Sequence, residues 1–293
     1  MRLHMAIPCL GAWQLDRCDT KGSTCMETST SRQQDSLAFW NSWCQSYNSG
    51  NVVLNEITPE ALANYDRAYL AYYPYLLKRI GAEEMFGKRV LEVGLGFGTL
   101  GQKIAETGAD YLGMDIAENQ VDLMNHRMRV GGFSGKAIQA DFLQSDLPDN
   151  AFDVVVSVGC FHHTGDIARC VDEAHRVLRP GGSARIMLYN RFSLRQWKDW
   201  PWKTLRALLG VPPELSREQR LQYDGLDGAA APITEFTSIR QAKSLFRRFS
   251  RLSIHKENCD DLGLVGSVVL QRKKLLRVVG PLLGLDLYID VTK

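Results

Sequence analysis

Three alternating glycines, Gly94, Gly96 and Gly98, directly follow the apolar run Val90–Val93 and precede a segment with helical periodicity. Glycine lets the backbone turn sharply and approach a ligand closely, and the start of a helix presents unpaired N–H groups to polar ligand atoms. The order strand, glycine loop, helix therefore predicts a loop that holds a nucleotide-like ligand. The stretch from Gly96 to Gly101 also satisfies the Gly-x-Gly-x-x-Gly pattern of dinucleotide-binding proteins.

Three acidic residues surround this loop. Asp115 and Asp141 end the next two predicted strands, and Glu92 lies just before the glycines. Asp115 suits a carboxylate that accepts both hydroxyls of a ribose, and Asp141 is placed to accept from the exocyclic amine of an adenine. A carboxylate at Glu92 would repel a pyrophosphate, whereas it suits a zwitterionic ligand with an ammonium group. Any one of them alone could be a capping or solvated side chain, but together they indicate one ligand site.

The segment after the fourth predicted strand carries two adjacent histidines, His162 and His163, and then Asp166. Imidazole titrates near neutral pH, so either histidine is a candidate general base. Adjacent side chains in extended backbone point in opposite directions, and at most one of the two is expected to face a cleft. The alternative is that both are structural. Asp166 is expected to be a helix N-cap, and no metal site is predicted because adjacent histidines cannot easily share one ion.

Short apolar runs alternate with helical stretches over most of the chain, a pattern that specifies a parallel sheet covered on both faces. The turn Arg179–Gly182 is expected to stop the preceding helix. Strands are predicted at Val90–Val93, Tyr111–Met114, Ala137–Ala140, Phe152–Val158, Ser183–Tyr189, Arg251–Lys256 and Leu287–Val291, and helices at Thr99–Glu106, Glu118–Arg129, Ile167–Leu178 and Ser238–Phe249.

The order of these motifs resembles that of the class I S-adenosylmethionine-dependent methyltransferases. The resemblance rests on Glu92–Thr99, Asp115, Asp141, Phe152–Val155 and Arg176–Gly182. It implies an α/β, Rossmann-like, seven-stranded and mostly parallel sheet with an antiparallel last strand, with S-adenosylmethionine across the carboxyl ends of the strands.

The same resemblance implies a role for each motif residue. The three glycines of the loop would line the methionine part of the cofactor, and Glu92 would face its ammonium group. Asp115 would hold the ribose with Ile116 beside the adenine. Asp141 and Phe142 would hold the adenine amine and ring, and Cys160 would lie near the sulfonium.

The chain is expected to divide into five parts. Residues 1–35 are interpreted as a disordered or over-called leader, with Met26 an alternative start, and residues 36–87 as a helical cap whose Tyr65, Tyr69 and Tyr72 share one face. Those rings either pack the cap onto the core or roof a cleft. Residues 88–190 form the cofactor-binding core, residues 191–236 an inserted substrate lid, and residues 237–293 the rest of the core. Trp197, Trp200 and Trp202 either face the substrate or anchor the lid.

Composition limits the possible partners. With 35 basic and 33 acidic residues the net charge is +2, which argues against nucleic acid as the main partner. No apolar run approaches the roughly 18 residues of a membrane span, although the basic, apolar stretch Arg272–Arg277 could touch an anionic membrane surface. The seven cysteines are scattered, and this favours a reducing, cytoplasmic setting.

These observations predict a methyltransferase that acts on O, N or C of a small, apolar or aromatic acceptor. Two alternatives remain at this stage: an NAD(P)-dependent reductase, which the Gly-x-Gly-x-x-Gly match supports, and a cofactor-binding scaffold without methyl transfer. The sequence does not indicate the acceptor, the attacked atom or the oligomeric state.

Overall fold

The fold is built around a sheet whose main path has seven strands. The computed structural model describes residues 34–43, 48–49, 52–53, 57–211, 214–226, 228–263 and 269–293. The sheet strands are β1 (Arg89–Val93), β2 (Asp110–Asp115), β3 (Lys136–Gln139), β4 (Phe152–Val158), β5 (Leu178–Asn190), β6 (Arg251–Glu257) and β7 (Asp286–Thr292). Their order is β3-β2-β1-β4-β5-β7-β6, with β7 antiparallel to both neighbours and the others parallel. The predicted α/β sheet with an antiparallel last strand is confirmed.

Helices cover both faces of this sheet. They are α1 (residues 34–43), α2 (Pro59–Tyr72), α3 (Leu76–Ile80), α4 (Thr99–Glu106), α5 (Glu118–Gly131), α6 (Ile167–Val177), α7 (Leu194–Asp199), α8 (Pro201–Leu208), α9 (Arg217–Asp224), α10 (Ile239–Leu245), α11 (Arg272–Leu275) and α12 (Val279–Leu283). Successive strand residues point to opposite faces, so Val90 joins the core under α3, α4 and α5 while Leu91 joins the core under α6 and α10. Burial on both faces explains why the central strands read as continuous apolar runs.

Two predicted boundaries differ from the structure by more than two residues. The fifth strand begins at Leu178 rather than Ser183, because Arg179–Gly182 forms a bulge inside it: Phe152 pairs with Leu178, and pairing resumes between Val154 and Ser183. The α10 helix begins at a capping box made by Ser238 and ends at Leu245, short of Phe249. Phe246 and Phe249 continue into the core after the helix ends.

The N-terminal cap is attached to the core by a buried ion pair. Asp66 of α2 accepts from Arg127 of α5 at 2.9 Å and from the hydroxyl of Thr99 at 2.6 Å. The helix α1 is held by Gln120, whose amide donates to the carbonyl of Trp40 at 2.6 Å. Of the predicted leader, only residues 34 and 35 are described, and they belong to α1.

The segment between β5 and α10 holds three short helices, α7, α8 and α9. It returns to the sheet through a two-residue strand, Phe236–Thr237, that pairs in parallel with the end of β5. Within the described ranges, no helix combines the length and apolar character needed to cross a membrane.

Candidate active site

A large cavity of about 1210 Å³ lies at the carboxyl ends of the parallel strands. Single small-molecule sites usually occupy roughly 300–1,000 Å³, so this volume has room for two ligands side by side. The loops after β1 to β4 contribute one wall of the cavity. The residues of that wall that the sequence singled out are Gly94, Gly96, Asp115, Ile116, Asp141, Phe142 and Cys160.

Gly94 sits where the loops after β1 and β4 touch. Its φ is +84°, and a Cβ placed on it would lie 2.3 Å from the Cβ of Cys160. Any side chain at this position would therefore push the two loops apart. Gly98 occupies a different environment, behind the loop, where an added Cβ would lie 2.8 Å from Cδ of Arg127. Its small size lets α4 pack against α5, and its predicted contact with the cofactor stays a prediction.

Asp115 braces the glycine loop while facing the cavity. Its Oδ2 accepts from the N–H of Leu95 at 2.8 Å, and its Oδ1 accepts from the N–H of Ala117 at 2.9 Å. Burial raises the pKa of the Asp115 carboxyl, and the backbone hydrogen bonds oppose that shift. Each carboxylate oxygen has a second lone pair, so the side chain can still accept two hydroxyl groups of a ligand.

Asp141 and Phe142 form the neighbouring part of the wall. Asp141 caps a short 3-10 turn by accepting from the N–H of Leu143 at 2.9 Å. The Phe142 ring is stacked on Phe161, with centroids 5.6 Å apart. Together with Ile116 they provide a flat apolar surface next to a hydrogen-bond acceptor, which suits a purine with an amino group.

Glu92 is buried beside the cavity rather than in its lining. Its carboxyl accepts from the hydroxyl of Tyr111 at 2.5 Å, and burial raises its pKa to about 8. Burial thus makes this carboxyl group easier to protonate than an exposed glutamate. Its predicted position facing an ammonium group stays a prediction.

The two adjacent histidines take different positions. His163 lines the cavity, whereas His162 is fully buried against Tyr189 with ring centroids 3.9 Å apart. Burial and the neighbouring His163 lower the pKa of His162 well below its usual range, so this ring is neutral. The structure thus narrows the candidate general base to His163. Asp166 caps α6 as expected, accepting from the N–H of Arg169 at 2.9 Å.

Sequence reasoning missed Asp224, which the last turn of α9 places opposite His163. Its Oδ1 accepts from the hydroxyl of Tyr189 at 2.8 Å, and its Oδ2 lies 3.5 Å from Nε2 of His163. Burial raises the pKa of the Asp224 carboxyl, while His163 and Tyr189 oppose the shift. The capping box of Ser216 and Gln219 signals α9, but nothing local signals where α9 packs.

Aromatic rings form the other wall of the cavity. Of the tyrosines predicted to share one helix face, Tyr65 packs against Phe97 at 4.9 Å, whereas Tyr69 and Tyr72 line the cavity. Both interpretations of the aromatic cap therefore apply. The cavity-lining tyrosines are Tyr69, Tyr72, Tyr73, Tyr189, Tyr223 and Tyr288.

The inserted segment contributes to the cavity through α7 and α9 and not through its tryptophans. Arg195 of α7 lines the cavity and is paired with Asp260 at 2.5 Å. Trp197, Trp200 and Trp202 are not part of the lining, and Trp202 is 77% exposed. Of the two roles considered for these tryptophans, contact with a substrate in this cavity is therefore not supported, and anchoring of the inserted segment stays a prediction.

The basic residues of the stretch Arg272–Arg277 differ in their exposure to solvent. Arg272 is buried: it donates to the carbonyl of Tyr72 at 2.5 Å and to Oδ1 of Asn258 at 2.9 Å, and its guanidinium lies 3.8 Å from the Tyr72 ring. This side chain therefore fixes the aromatic wall and is not available to a membrane surface. Lys273, Lys274 and Arg277 are exposed.

Comparison with known proteins agrees with this geometry. Solved structures with similar folds include a putative methyltransferase of Haloferax volcanii in complex with the Trm112 activator, with a TM-score of 0.54, 13% identity, and coverage of 86% of this chain and 96% of that one. Another is an S-adenosylmethionine-dependent methyltransferase of Mesorhizobium loti, with a TM-score of 0.52, 19% identity, and coverage of 76% and 98%. At these identities the likeness defines the fold alone, a Rossmann-like α/β sheet.

The matches in sequence to known proteins include the core of the chain. Residues 91–186 match the family model described as a methyltransferase domain. The sterol 24-C-methyltransferase of Yarrowia lipolytica is 33% identical over 143 residues, 48% of this chain and 35% of that protein. The fatty-acid O-methyltransferase of Mycolicibacterium smegmatis is 29% identical over 169 residues, 55% of this chain and 57% of that protein. Residues 91–186 therefore resemble a methyltransferase domain, and the two alignments span 35% and 57% of the length of these relatives.

Proposed function

We propose that this chain transfers a methyl group from S-adenosylmethionine to a small-molecule acceptor. The observation that carries the proposal is the single cavity with two unlike walls: one built from the glycine loop and the strand-end acids, the other built from tyrosines. Its volume exceeds what one small molecule fills. Such a cavity suits a nucleoside cofactor and an acceptor that meet inside it.

The residues of the first wall fit the cofactor. Gly94 lets the loops after β1 and β4 pack together beside the cavity, and Gly96, where a Cβ would meet no atom within 4 Å, opens onto the cavity. Asp115 and Asp141 supply acceptors for ribose hydroxyls and for an adenine amine, with Ile116 and Phe142 as the apolar surface between them. Cys160 would lie near the sulfonium; burial raises the pKa of its thiol, so it would be a neutral neighbour and not a nucleophile. Glu92 would stabilise the ammonium group from behind this wall.

The chemistry supplied by this cofactor is an already activated methyl group. The protein has to align the acceptor with that group and exclude water. The helices α1 and α2 and the inserted segment cover the cavity and perform both tasks in this proposal. Trp40 and Trp43 of α1 line the cavity together with the tyrosines of α2.

The acceptor in this proposal is small and largely apolar or aromatic. The tyrosine wall supports that choice, because aromatic side chains bind flat apolar groups well. The relatives named above act on sterols and fatty acids by their names, and a ubiquinone biosynthesis O-methyltransferase of Pseudomonas aeruginosa is 31% identical over 107 residues, 36% of this chain and 46% of that protein. The cytoplasmic setting belongs to the proposal too; the described cysteines Cys160, Cys170 and Cys259 are free thiols, which agrees with it.

The two alternative functions are an NAD(P)-dependent reductase and a cofactor-binding scaffold without methyl transfer. A reductase is not favoured, because the matching family model and the matching relatives are methyltransferases. A scaffold that binds the cofactor without transferring the methyl group has the same first wall, and only turnover separates it from an enzyme.

The experiment is incubation of the full chain with methyl-labelled S-adenosylmethionine and apolar probe acceptors, followed by measurement of S-adenosylhomocysteine and labelled product. Catalytic label transfer to a probe supports the proposal. Tight cofactor binding without transfer to alcohols, phenols, amines, acids or sterols would favour the scaffold.

A further inference from the structure

The carboxyl group of Asp224 is buried at the edge of the cavity with one oxygen unsatisfied. The residue is 8% exposed, and among the described residues no group donates a hydrogen bond to its Oδ2. The other oxygen is held by the hydroxyl of Tyr189. An unpaired buried carboxylate oxygen costs free energy unless a ligand or solvent donates to it. Because Asp224 lines the cavity, a bound ligand can supply that donor.

His163 presents a second proton acceptor to the same place. Its Nδ1 lies 2.7 Å from the carbonyl oxygen of Ile233. A carbonyl oxygen only accepts, so Nδ1 carries a proton and donates it, and Nε2 of the neutral ring is then an acceptor. The 3.5 Å between Nε2 and Oδ2 of Asp224 is longer than a hydrogen bond. Two acceptor atoms therefore lie side by side at the cavity, and the single proton of a hydroxyl group can be donated to either of them.

Four separate parts of the chain hold this pair in place. The ring of Trp40 in α1 packs on His163 with centroids 4.7 Å apart, the short turn after β4 supplies His163, and α9 of the inserted segment supplies Asp224. Tyr189, at the end of β5, fixes the carboxylate. Groups positioned from independent elements keep their geometry when a ligand binds, as general acid–base chemistry requires.

We infer that His163 and Asp224 together accept the proton of a hydroxyl group on the methyl acceptor, and that the enzyme is therefore an O-methyltransferase for phenol-type hydroxyls. The inference rests on the proposed function. The acceptor oxygen forms a bond to the methyl carbon as the carbon–sulfur bond breaks, and the electron pair of that bond stays on sulfur to give S-adenosylhomocysteine. The hydroxyl proton passes to Nε2 of His163, stabilised by the Asp224 carboxylate, and from there to water.

The charges around the cavity select against acidic acceptors. Asp224 and Asp286 are both buried carboxyl groups in the lining, whereas Arg195, the lining guanidinium, is already paired with Asp260. A carboxylate ligand would meet like charges at the His163–Asp224 pair and has no proton to give. A phenol donates its hydroxyl proton to the His163–Asp224 pair and places its ring against the tyrosines.

The test compares three probes with the same apolar tail: an alkylcatechol, an alkanoic acid and an alkylamine. Binding of each to the S-adenosylhomocysteine-loaded protein is measured by calorimetry, and methylation is measured with S-adenosylmethionine. We expect binding and methylation of the alkylcatechol only. Failure of the catechol to bind a protein that does bind S-adenosylhomocysteine, or methylation of the acid or amine instead, would overturn the inference and leave the proposed function standing. Failure to bind either cofactor form would instead overturn the proposed function.

Two substitutions test whether the His163–Asp224 pair accepts a proton or is only a structural ion pair. Asp224→Asn and His163→Gln are expected to lower kcat for the alkylcatechol by roughly 10²–10⁴-fold with little change in KM or cofactor affinity. The matched control is Glu218→Gln, an exposed carboxyl on the same helix, which should keep the wild-type rate. A nitrocatechol, whose first hydroxyl is largely ionised near neutral pH, should be methylated by Asp224→Asn at close to the wild-type rate. Equal losses with both catechols would contradict the proton-accepting role.

The pH dependence of the methylation rate is a separate test of the same inference. The titratable and charged groups that face the pair are His162 and Tyr189 beside His163, and Tyr189, Arg195 and the Asp286 carboxyl around Asp224. In Asp224→Asn the rate with the alkylcatechol should rise steeply toward alkaline pH, because ionisation of the phenol in solution replaces the missing acceptor. A pH profile of the same shape in both proteins would count against the inference.

Discussion

The guanidinium of Arg127 in α5 binds the carboxylate of Asp66 in α2 at 2.9 Å, with both side chains almost completely buried. This contact connects the wall of tyrosines to the nucleotide-binding core. Because the same carboxylate accepts from Thr99 at the start of α4, one side chain positions the aromatic helix relative to the glycine loop.

Substitution Asp66→Ala should therefore be strongly destabilising. It leaves a buried guanidinium without its partner, which costs about 3–5 kcal/mol. Urea unfolding measures the free energy of unfolding, with Glu60→Ala, an exposed acid on the same helix, as the control. A loss below about 1 kcal/mol for Asp66→Ala would show that the ion pair does not hold the cap.

Substitution Gly94→Ala should abolish cofactor binding. The added Cβ would collide with Cys160, and a φ of +84° is unfavourable for alanine. Gly87→Ala is the matched control, because Gly87 has a φ of +66° with open space around it. Both variants share the strain of a positive φ, but we expect a larger loss of stability in Gly94→Ala because of the collision with Cys160. Loss of S-adenosylhomocysteine binding, measured by calorimetry, is expected only in Gly94→Ala. Retained binding would mean that the loop after β4 is free to move away.

Substitution Asp115→Ala should weaken cofactor binding at least tenfold, since it removes the expected ribose acceptor and the two backbone hydrogen bonds that brace the loop. Asp110→Ala, at the exposed start of the same strand, should leave binding unchanged. If Asp115→Ala keeps the dissociation constant within twofold, the ribose assignment fails.

Asp286 should make the folded state less stable at alkaline pH. Burial raises the pKa of its carboxyl from 3.8 to about 7, so between these values the folded state binds more protons than the unfolded state. Its contribution to stability is thus lost as pH rises toward 7 and beyond. Asp286→Asn should raise the free energy of unfolding at pH 8 by up to roughly 4 kcal/mol and change it little at pH 4. An equal effect at both pH values would contradict this account.

The sequence was sufficient for the core and for one wall of the site. Gly94, Asp115 and Asp141 each follow a buried strand, and parallel strands bring their carboxyl ends to one edge of the sheet. Local periodicity also located Thr99–Glu106 and Phe152–Val158 with correct bounds.

The rest of the site depends on tertiary packing that no local pattern encodes. Asp224 and Arg195 reach the cavity because of how three short helices fold over the sheet, and Asp286 does so because the last strand runs antiparallel. Glu92 is a buried strand residue whose side chain binds Tyr111 of the next strand. The sequence alone did not indicate that the Glu92 carboxyl group would accept a hydrogen bond from Tyr111.

Parallel calorimetric titration of the full chain with S-adenosylmethionine, S-adenosylhomocysteine and NADPH tests the central claim most directly. The account predicts micromolar binding of the first two and none of NADPH. Binding of NADPH alone would show that the glycine loop holds a dinucleotide, and the methyltransferase proposal would be wrong.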